Sequence, residues 1–203
     1  MPRFTTTDGL SLHYSDAGDG LPLLCLSGLT RNGSDFDYLA PHLDPARVRL
    51  IRLDYRGRGQ SDWAEDFNDY SVARESADAL ELLDHLGLDR AAILGTSRGG
   101  LLALALAVTA RERLMGVCFN DIGPVLEPAG LEVIMGYLGR DPSWATVEEA
   151  VRARPHVMAG FANVPESRWR EEIAHLYRVT DTGLKINYDP KLRDALLAAG
   201  AQD

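Results

Sequence analysis

Ala91-Ala92-Ile93-Leu94-Gly95-Thr96-Ser97-Arg98-Gly99-Gly100-Leu101-Leu102-Ala103-Leu104-Ala105-Leu106-Ala107 is the stretch that decides the fold. Residues 91–95 form an apolar run of strand length, and residues 98–110 are rich in Ala and Leu with glycine only at the entry, so strand, tight turn and helix follow one another. A Gly-x-Ser-x-Gly string by itself is a weak signal, because a chain with 19 glycines meets it easily by accident. Its place between a buried strand and an apolar helix is what discriminates. Such a turn forces its serine into strained backbone and lifts the hydroxyl clear of the sheet, which is the geometry of an exposed nucleophile. Ser97 is therefore expected to attack a carbonyl carbon.

Working outward toward the N-terminus, Phe4–Thr7 and Leu10–Tyr14 are β-leaning runs separated by Asp8-Gly9, a hairpin turn signal, and should pair antiparallel at one sheet edge. Leu21–Leu26 is apolar enough for a central strand covered on both faces, Ser34–His42 reads as a short helix, and Val48–Asp54 is another strand. Ser71–Leu88 places Val72, Ala77, Leu80, Leu83 and Leu86 near helical spacing and ends at Gly87. After the serine turn comes a sixth strand, Leu114–Asp121. Strands alternating with helices of these lengths predict an α/β fold, a mostly parallel sheet with helices on both faces. From Ile122 onward the pattern changes to amphipathic helices. Thr146 with Glu149 makes a capping-box pattern, Pro165 suits a first helical turn, and Asp189-Pro190 starts the last helix. Leu184–Tyr188 alternates like a strand, but Asp189 ahead of Pro190 is better explained as a helix N-cap. Two parts are expected: a core over residues 1–121 and a helical subdomain over residues 122–203.

Composition narrows the classes. A chain of 203 residues can bury roughly 70% of its unfolded surface. A formal charge of −9 with a pI near 5.0 repels phosphate backbones and anionic lipid, so neither nucleic acid nor membrane is an expected partner. Cys25 and Cys118 each fall within an apolar strand-like run, where a free thiol acts as a small buried hydrophobe, which suits a reducing compartment. The first nine residues lack the apolar core of a signal peptide, and the longest apolar run, near residues 101–108, is too short to span a bilayer. A cytoplasmic protein is expected. No metal-ligand cluster or dinucleotide fingerprint is present, and Gly57-Arg58-Gly59 lacks a third glycine and a following helix, so no cofactor is expected.

Three stretches in order carry a resemblance: Leu26-Ser27-Gly28-Leu29-Thr30 after the third strand, Asp54-Tyr55-Arg56-Gly57-Arg58-Gly59-Gln60-Ser61 after the fourth, and Gly95-Thr96-Ser97-Arg98-Gly99 after the fifth. Over nearly all of residues 10–125 the chain resembles the α/β-hydrolase fold superfamily, in its serine esterase and peptidase-like branch with a helical cap. The resemblance implies that Ser97 is the nucleophile and that the backbone N–H groups of Leu29 and Arg98 form the oxyanion hole. It makes the Asp54–Ser61 loop a structural turn, with Asp54 and Arg56 in structural roles, and makes residues 122–203 the cap over Ser97. Trp63, Trp144 and Trp169 are candidates either for lining its pocket or for cap core. One departure stands out: the family usually has histidine before the glycine of the first motif, and this chain has Ser27.

The other half of the machinery is harder to find. A serine hydroxyl needs a base to take its proton, and in the family that histidine follows the last strand. His13, His42 and His85 suit surface or packing roles, while His156 and His175 lie in the cap region. Asp121, at the end of the sixth strand, is a candidate acid, with a cap-hinge role as the alternative. The economical reading is that these residues are the N-terminal part of a longer hydrolase whose general-base histidine lies beyond Asp203, and that the sixth strand is left with an open edge calling for a covering segment or self-association. The expected substrate is a small ester, lactone or related carbonyl compound. The alternatives are a catalytically silent ligand-binding protein of the same fold, and cofactor-free carbon–carbon hydrolysis or perhydrolysis.

Overall fold

The computed structural model describes residues 2–200 apart from Pro124, Leu126, Glu127 and Ala159. Strands β1 (Arg3–Thr5), β2 (Ser11–Ala17), β3 (Leu21–Leu26), β4 (Val48–Leu53), β5 (Ala91–Thr96) and β6 (Leu114–Asn120) form one sheet in the order β1-β2-β4-β3-β5-β6. The first two strands pair antiparallel with each other, β2 pairs antiparallel with β4, and every other pairing is parallel. The central strands read as continuous apolar runs because alternate residues serve different cores. Leu24 and Leu26, Ile51 and Leu53, and Ala91 and Ile93 pack with Leu82 and Leu83 of α1 (Val72–His85) and Leu102 and Leu106 of α2 (Arg98–Thr109). The residues between them, Leu23, Cys25, Leu50 and Leu94, pack instead with Phe36, Leu39 and Leu43.

That second face is covered by two short 3-10 helices, Gly33–Phe36 and Ala40–His42, where a single helix over 34–42 was expected. Pro41 is the reason: it has no N–H to donate, and its ring would collide with the carbonyl one turn back. Cys118 also departs from expectation. Cys25 is buried, but Cys118 is exposed, as are Met115 and Phe119, because β6 is the outermost strand of the sheet.

Residues beyond 122 form α3 (Pro128–Tyr137), α4 (Val147–Val157), α5 (Glu166–Leu176), a hairpin of β7 (Tyr177–Thr180) and β8 (Gly183–Ile186), and α6 (Leu192–Gly200). Half of the capping box forms: the Glu149 N–H donates to Thr146 Oγ1 at 3.2 Å, while the Glu149 carboxylate reaches one residue further back and accepts from the Ala145 N–H at 2.8 Å instead of from the Thr146 N–H. The alternation at Leu184–Tyr188 is partly a strand after all, although it pairs only with β7 and stays apart from the main sheet. Asp189 does cap the turn that follows, accepting from the Lys191 N–H at 2.9 Å. The same residue ties this part to the core, since its N–H donates to Gly57 O at 2.8 Å and its carboxylate accepts from the Tyr70 hydroxyl at 2.6 Å.

The Asp54–Ser61 loop is held by buried charge. Asp54 accepts from the N–H groups of Gly33 and Gln60 at 2.7 and 3.0 Å and lies 3.0 Å from His13 Nδ1. Arg56 and Arg58 are both fully buried; the first pairs with Asp78 and Asp8, the second with Glu75. Hydrogen bonding to Arg56 holds the Asp8 carboxyl well below the usual carboxylate range. Burial pushes Glu75 up, but the Arg58 and Arg98 guanidiniums outweigh it and leave that carboxyl below its ordinary value. Both groups bind protons more weakly folded than unfolded. Their stabilisation is therefore complete above the unfolded carboxylate pKa, about 4, and is lost as pH falls below it. Urea titrations are expected to give a stability that is flat near neutrality and declines below about pH 4, with Asp8→Asn removing part of that decline.

Candidate active site

The turn after β5 is shaped by two close approaches. A methyl group on Gly99 would sit 2.0 Å from the Leu26 carbonyl oxygen, and one on Gly95 would sit 2.6 Å from the Gly99 oxygen. Only glycine lets β5, the turn and the start of α2 pack this tightly. Ser97 between them has φ 49° and ψ −112°, a conformation that side-chain-bearing residues rarely adopt. The surrounding backbone holds it there: the Ser97 N–H donates to Asn120 O of β6, and the Gly99 N–H donates to Ser27 O, each at 3.0 Å.

The Leu26–Thr30 stretch lies beside it. A methyl on Gly28 would be 3.9 Å from Ser97 Cβ, so the Gly28–Leu29 backbone runs past the serine. Tyr55 Oη donates to Ser27 O at 3.1 Å and Arg58 Nε donates to Leu29 O at 2.9 Å, which pins the loop from below. Arg98 opens α2, where an N–H has no intrahelical acceptor, and neither its amide nor that of Leu29 is taken up by a backbone hydrogen bond among the described residues. The Ser27 hydroxyl is buried without a partner among those residues, so it does not take up the bonding of the histidine usual at that place.

A cavity of about 480 Å³ opens over Ser97. Its floor is Leu29, Ser97, Arg98 and Leu101, one wall is Asp121, Ile122 and Gly123, and its roof includes Gly130, Leu131 and Ile134 of α3 and Leu196 of α6. The lining is mostly apolar. Asp121 follows β6 at φ 53° and shares this cavity with Ser97.

No histidine lines it among the described residues. His13 is bonded to Asp54, His85 lies 3.2 Å from Tyr14 Oη and stacks on Phe4, His42 and His156 are exposed, and His175 packs beside Tyr38. The tryptophans also lie outside this lining. Trp169 is buried with Ala150, Val151, Ile173 and Leu184, Trp144 packs edge-on against Tyr177, and Trp63 is an exposed ring beneath Arg178. The roof residues Leu131, Ile134 and Leu196 escaped the sequence reading. A signal was there: α3 runs Leu131-Glu132-Val133-Ile134-Met135 between two glycines, apolar on most sides although Leu131 and Val133 are exposed.

A strained serine at the C-terminal edge of a parallel sheet, heading a helix and roofed by a helical insertion, is the architecture of α/β hydrolases. This chain belongs to the alpha/beta hydrolase fold family, whose model matches residues 22–156. It is 35% identical over 183 residues to the 3-hydroxybutyrate-oligomer hydrolase of Cupriavidus necator, a match that takes in 88% of this chain and 62% of that protein. It is 28% identical over 148 residues to the soluble epoxide hydrolase of a Corynebacterium species, covering 68% of this chain and 51% of that protein. Among solved structures, an alpha/beta hydrolase from Novosphingobium aromaticivorans superposes with a TM-score of 0.86 at 35% identity, over 94% of this chain and 68% of the other. The chain thus spans between half and about two thirds of the length of these proteins.

Proposed function

We propose that Ser97 is the nucleophile of a serine hydrolase acting on a small carboxylic ester, lactone or related carbonyl compound. The observation that carries this reading is the strained Ser97 at the head of α2, flanked by two open amides and facing a largely apolar cavity of about 480 Å³. Ser97 Oγ attacks the carbonyl carbon while its proton passes to a histidine base supplied by sequence beyond Asp203. The N–H groups of Leu29 and Arg98 receive the oxyanion, each such donor being worth about 3 kcal/mol in the transition state. Collapse expels the alcohol, protonated by the imidazolium, and leaves an acyl-enzyme that water then hydrolyses. Asp121 is the candidate to orient the base, α3 and α6 act as the lid that limits water, and the additional sequence also covers the open edge of β6. The name of the Cupriavidus relative supports ester cleavage, since an oligomer of a hydroxy acid is joined through ester bonds. Free Cys25 and Cys118 suit a cytoplasmic setting.

A fluorophosphonate probe tests this. The protein extended to the length of its relatives is expected to label rapidly and stoichiometrically at Ser97, located by peptide mass spectrometry, whereas residues 1–203 alone label slowly. An extended protein that stays unlabelled, or labels elsewhere, would sink the reading and favour a silent binding protein, the alternative that the absence of a histidine around Ser97 among the described residues keeps in play.

A further inference from the structure

Arg98 serves the Ser97 cavity with its backbone, yet its side chain runs into the wall of a second cavity. This space, about 310 Å³, includes Tyr70 and Ser71 in its lining and shares Leu29, Arg98 and Leu196 with the cavity over Ser97. Three residues therefore line both spaces, which lie side by side along them. The Arg98 guanidinium donates through Nε to Glu75 Oε2 at 2.8 Å and through Nη2 to the Tyr70 carbonyl at 2.9 Å, while Nη1 meets no acceptor among the described residues. Its side chain is 12% exposed.

Glu75 is not Arg98's alone. Arg58 Nη1 donates to its other oxygen at 2.5 Å, and Arg58 is fully buried with Nη2 unpartnered among the described residues. Two guanidiniums share this one carboxylate, so neither has it to itself. Asp189, the buried acid on the far side of Tyr70, is bonded to the Tyr70 hydroxyl and the Lys191 amide and to neither guanidinium. Among the described residues, Arg98 is the one charged side chain in the lining of this second cavity. A partly buried guanidinium with a free Nη is suited to a carboxylate, which it binds through charge-assisted hydrogen bonds.

We propose that the second cavity receives a carboxylate of the substrate on Arg98 while the ester to be cleaved lies over Ser97, so that the substrate class is the carboxylate-terminated ester of an apolar hydroxy acid. This rests on the hydrolase reading above and adds its specificity element. The two cavities meet at Leu29, Arg98 and Leu196, which places the anion subsite next to the apolar one. The linear dimer of 3-hydroxybutyrate has this chemistry, an ester flanked by short apolar chains and ended by a carboxylate.

The test reads binding without turnover, in the protein carrying Ser97→Ala. Calorimetry with the free-acid dimer of 3-hydroxybutyrate and with its methyl ester is expected to show the acid binding about tenfold tighter or more, as a charge-assisted pair gives. Arg98→Met keeps the backbone N–H and removes the guanidinium, and should bring the acid down to the affinity of the ester. Should that variant fail to fold, the Arg98 Nε–H resonance of the 15N-labelled protein gives a second measurement, expected to shift with the acid and to stay still with the ester. Absent binding of the acid, equal affinity for acid and ester, a preference that survives Arg98→Met, or an unmoved resonance each overturns the proposal. Because no hydrolysis is involved, these outcomes strike the anion subsite alone, while missing fluorophosphonate labelling at Ser97 strikes the hydrolase reading.

Discussion

Ser97→Ala is expected to lower kcat for ester hydrolysis by about 10⁴- to 10⁶-fold in the enzyme that carries its base, with KM nearly unchanged. The loss falls on kcat because Oγ forms the new bond and contributes little to the cavity, whose apolar walls Leu101, Ile122, Leu131 and Ile134 are untouched. Alanine meets the same backbone strain at φ 49° as serine does, so the substitution should leave the thermal midpoint within a degree or two, about the size of a surface change. The residual rate would come from the Leu29 and Arg98 amides, which remain. Retention of a tenth or more of the parental kcat would place the nucleophile elsewhere and reduce the elbow to a packing device. Michaelis profiles on a chromogenic short-chain ester, with parallel thermal unfolding, decide between these.

The parts of the fold and of the candidate site that were legible in the sequence are those made by local chemistry. Gly95, Ser97 and Gly99 lie within one turn, and the reason for each glycine, close contact with Leu26 and with the start of α2, leaves a mark in sequence because no other residue fits. The proposed donors, the Leu29 and Arg98 amides, were named from their motifs, since a backbone N–H is placed by its neighbours. Strands β3, β4 and β5 showed themselves as apolar runs because each is covered on both faces. What was hidden depends on long-range contact. The roof over Ser97 comes from Leu131, Ile134 and Leu196, residues far apart in sequence with no shared pattern. Cys118 looked buried because its strand is apolar, but among the described residues β6 is the outermost strand and Cys118 is exposed there. The β7–β8 hairpin was overlooked because its strands are four residues each and the Asp189-Pro190 helix signal stood directly after it. The buried charges were visible only in part: the resemblance gave Asp54 and Arg56 structural roles, but Arg58, Glu75 and Asp78 look like ordinary solvated residues until the fold buries them below the same loop.

Those charges carry the other large effect. Glu75→Leu is expected to destabilise the protein by about 3–5 kcal/mol, the usual cost of removing one member of a buried ion pair and leaving its partner uncompensated. Here two partners are affected. Arg58 has no exposure, and without Glu75 its guanidinium keeps only the carbonyls of Arg56 and Leu29 and the faces of Tyr55 and Tyr70, each with its ring centre 5.5 Å away. Arg98 is better placed, because its partial exposure lets the cavity supply water. Glu75→Gln keeps the shape and an acceptor oxygen but not the charge, so its urea midpoint should fall between those of the parent and the leucine variant. Adding Arg58→Met to Glu75→Leu removes the stranded charge itself and should recover part of the loss, so that the two substitutions are strongly non-additive. The same changes should reach the site, because Arg58 Nε holds the Leu29 carbonyl and Glu75 holds the Arg98 side chain, one beside each proposed oxyanion donor. A folded Glu75→Gln enzyme should therefore lose kcat while keeping fluorophosphonate labelling at Ser97. If Glu75→Leu unfolded within about 1 kcal/mol of the parent, as a typical surface substitution does, water would have to reach Arg58, and the network would not be the buried support of both donors that its geometry describes.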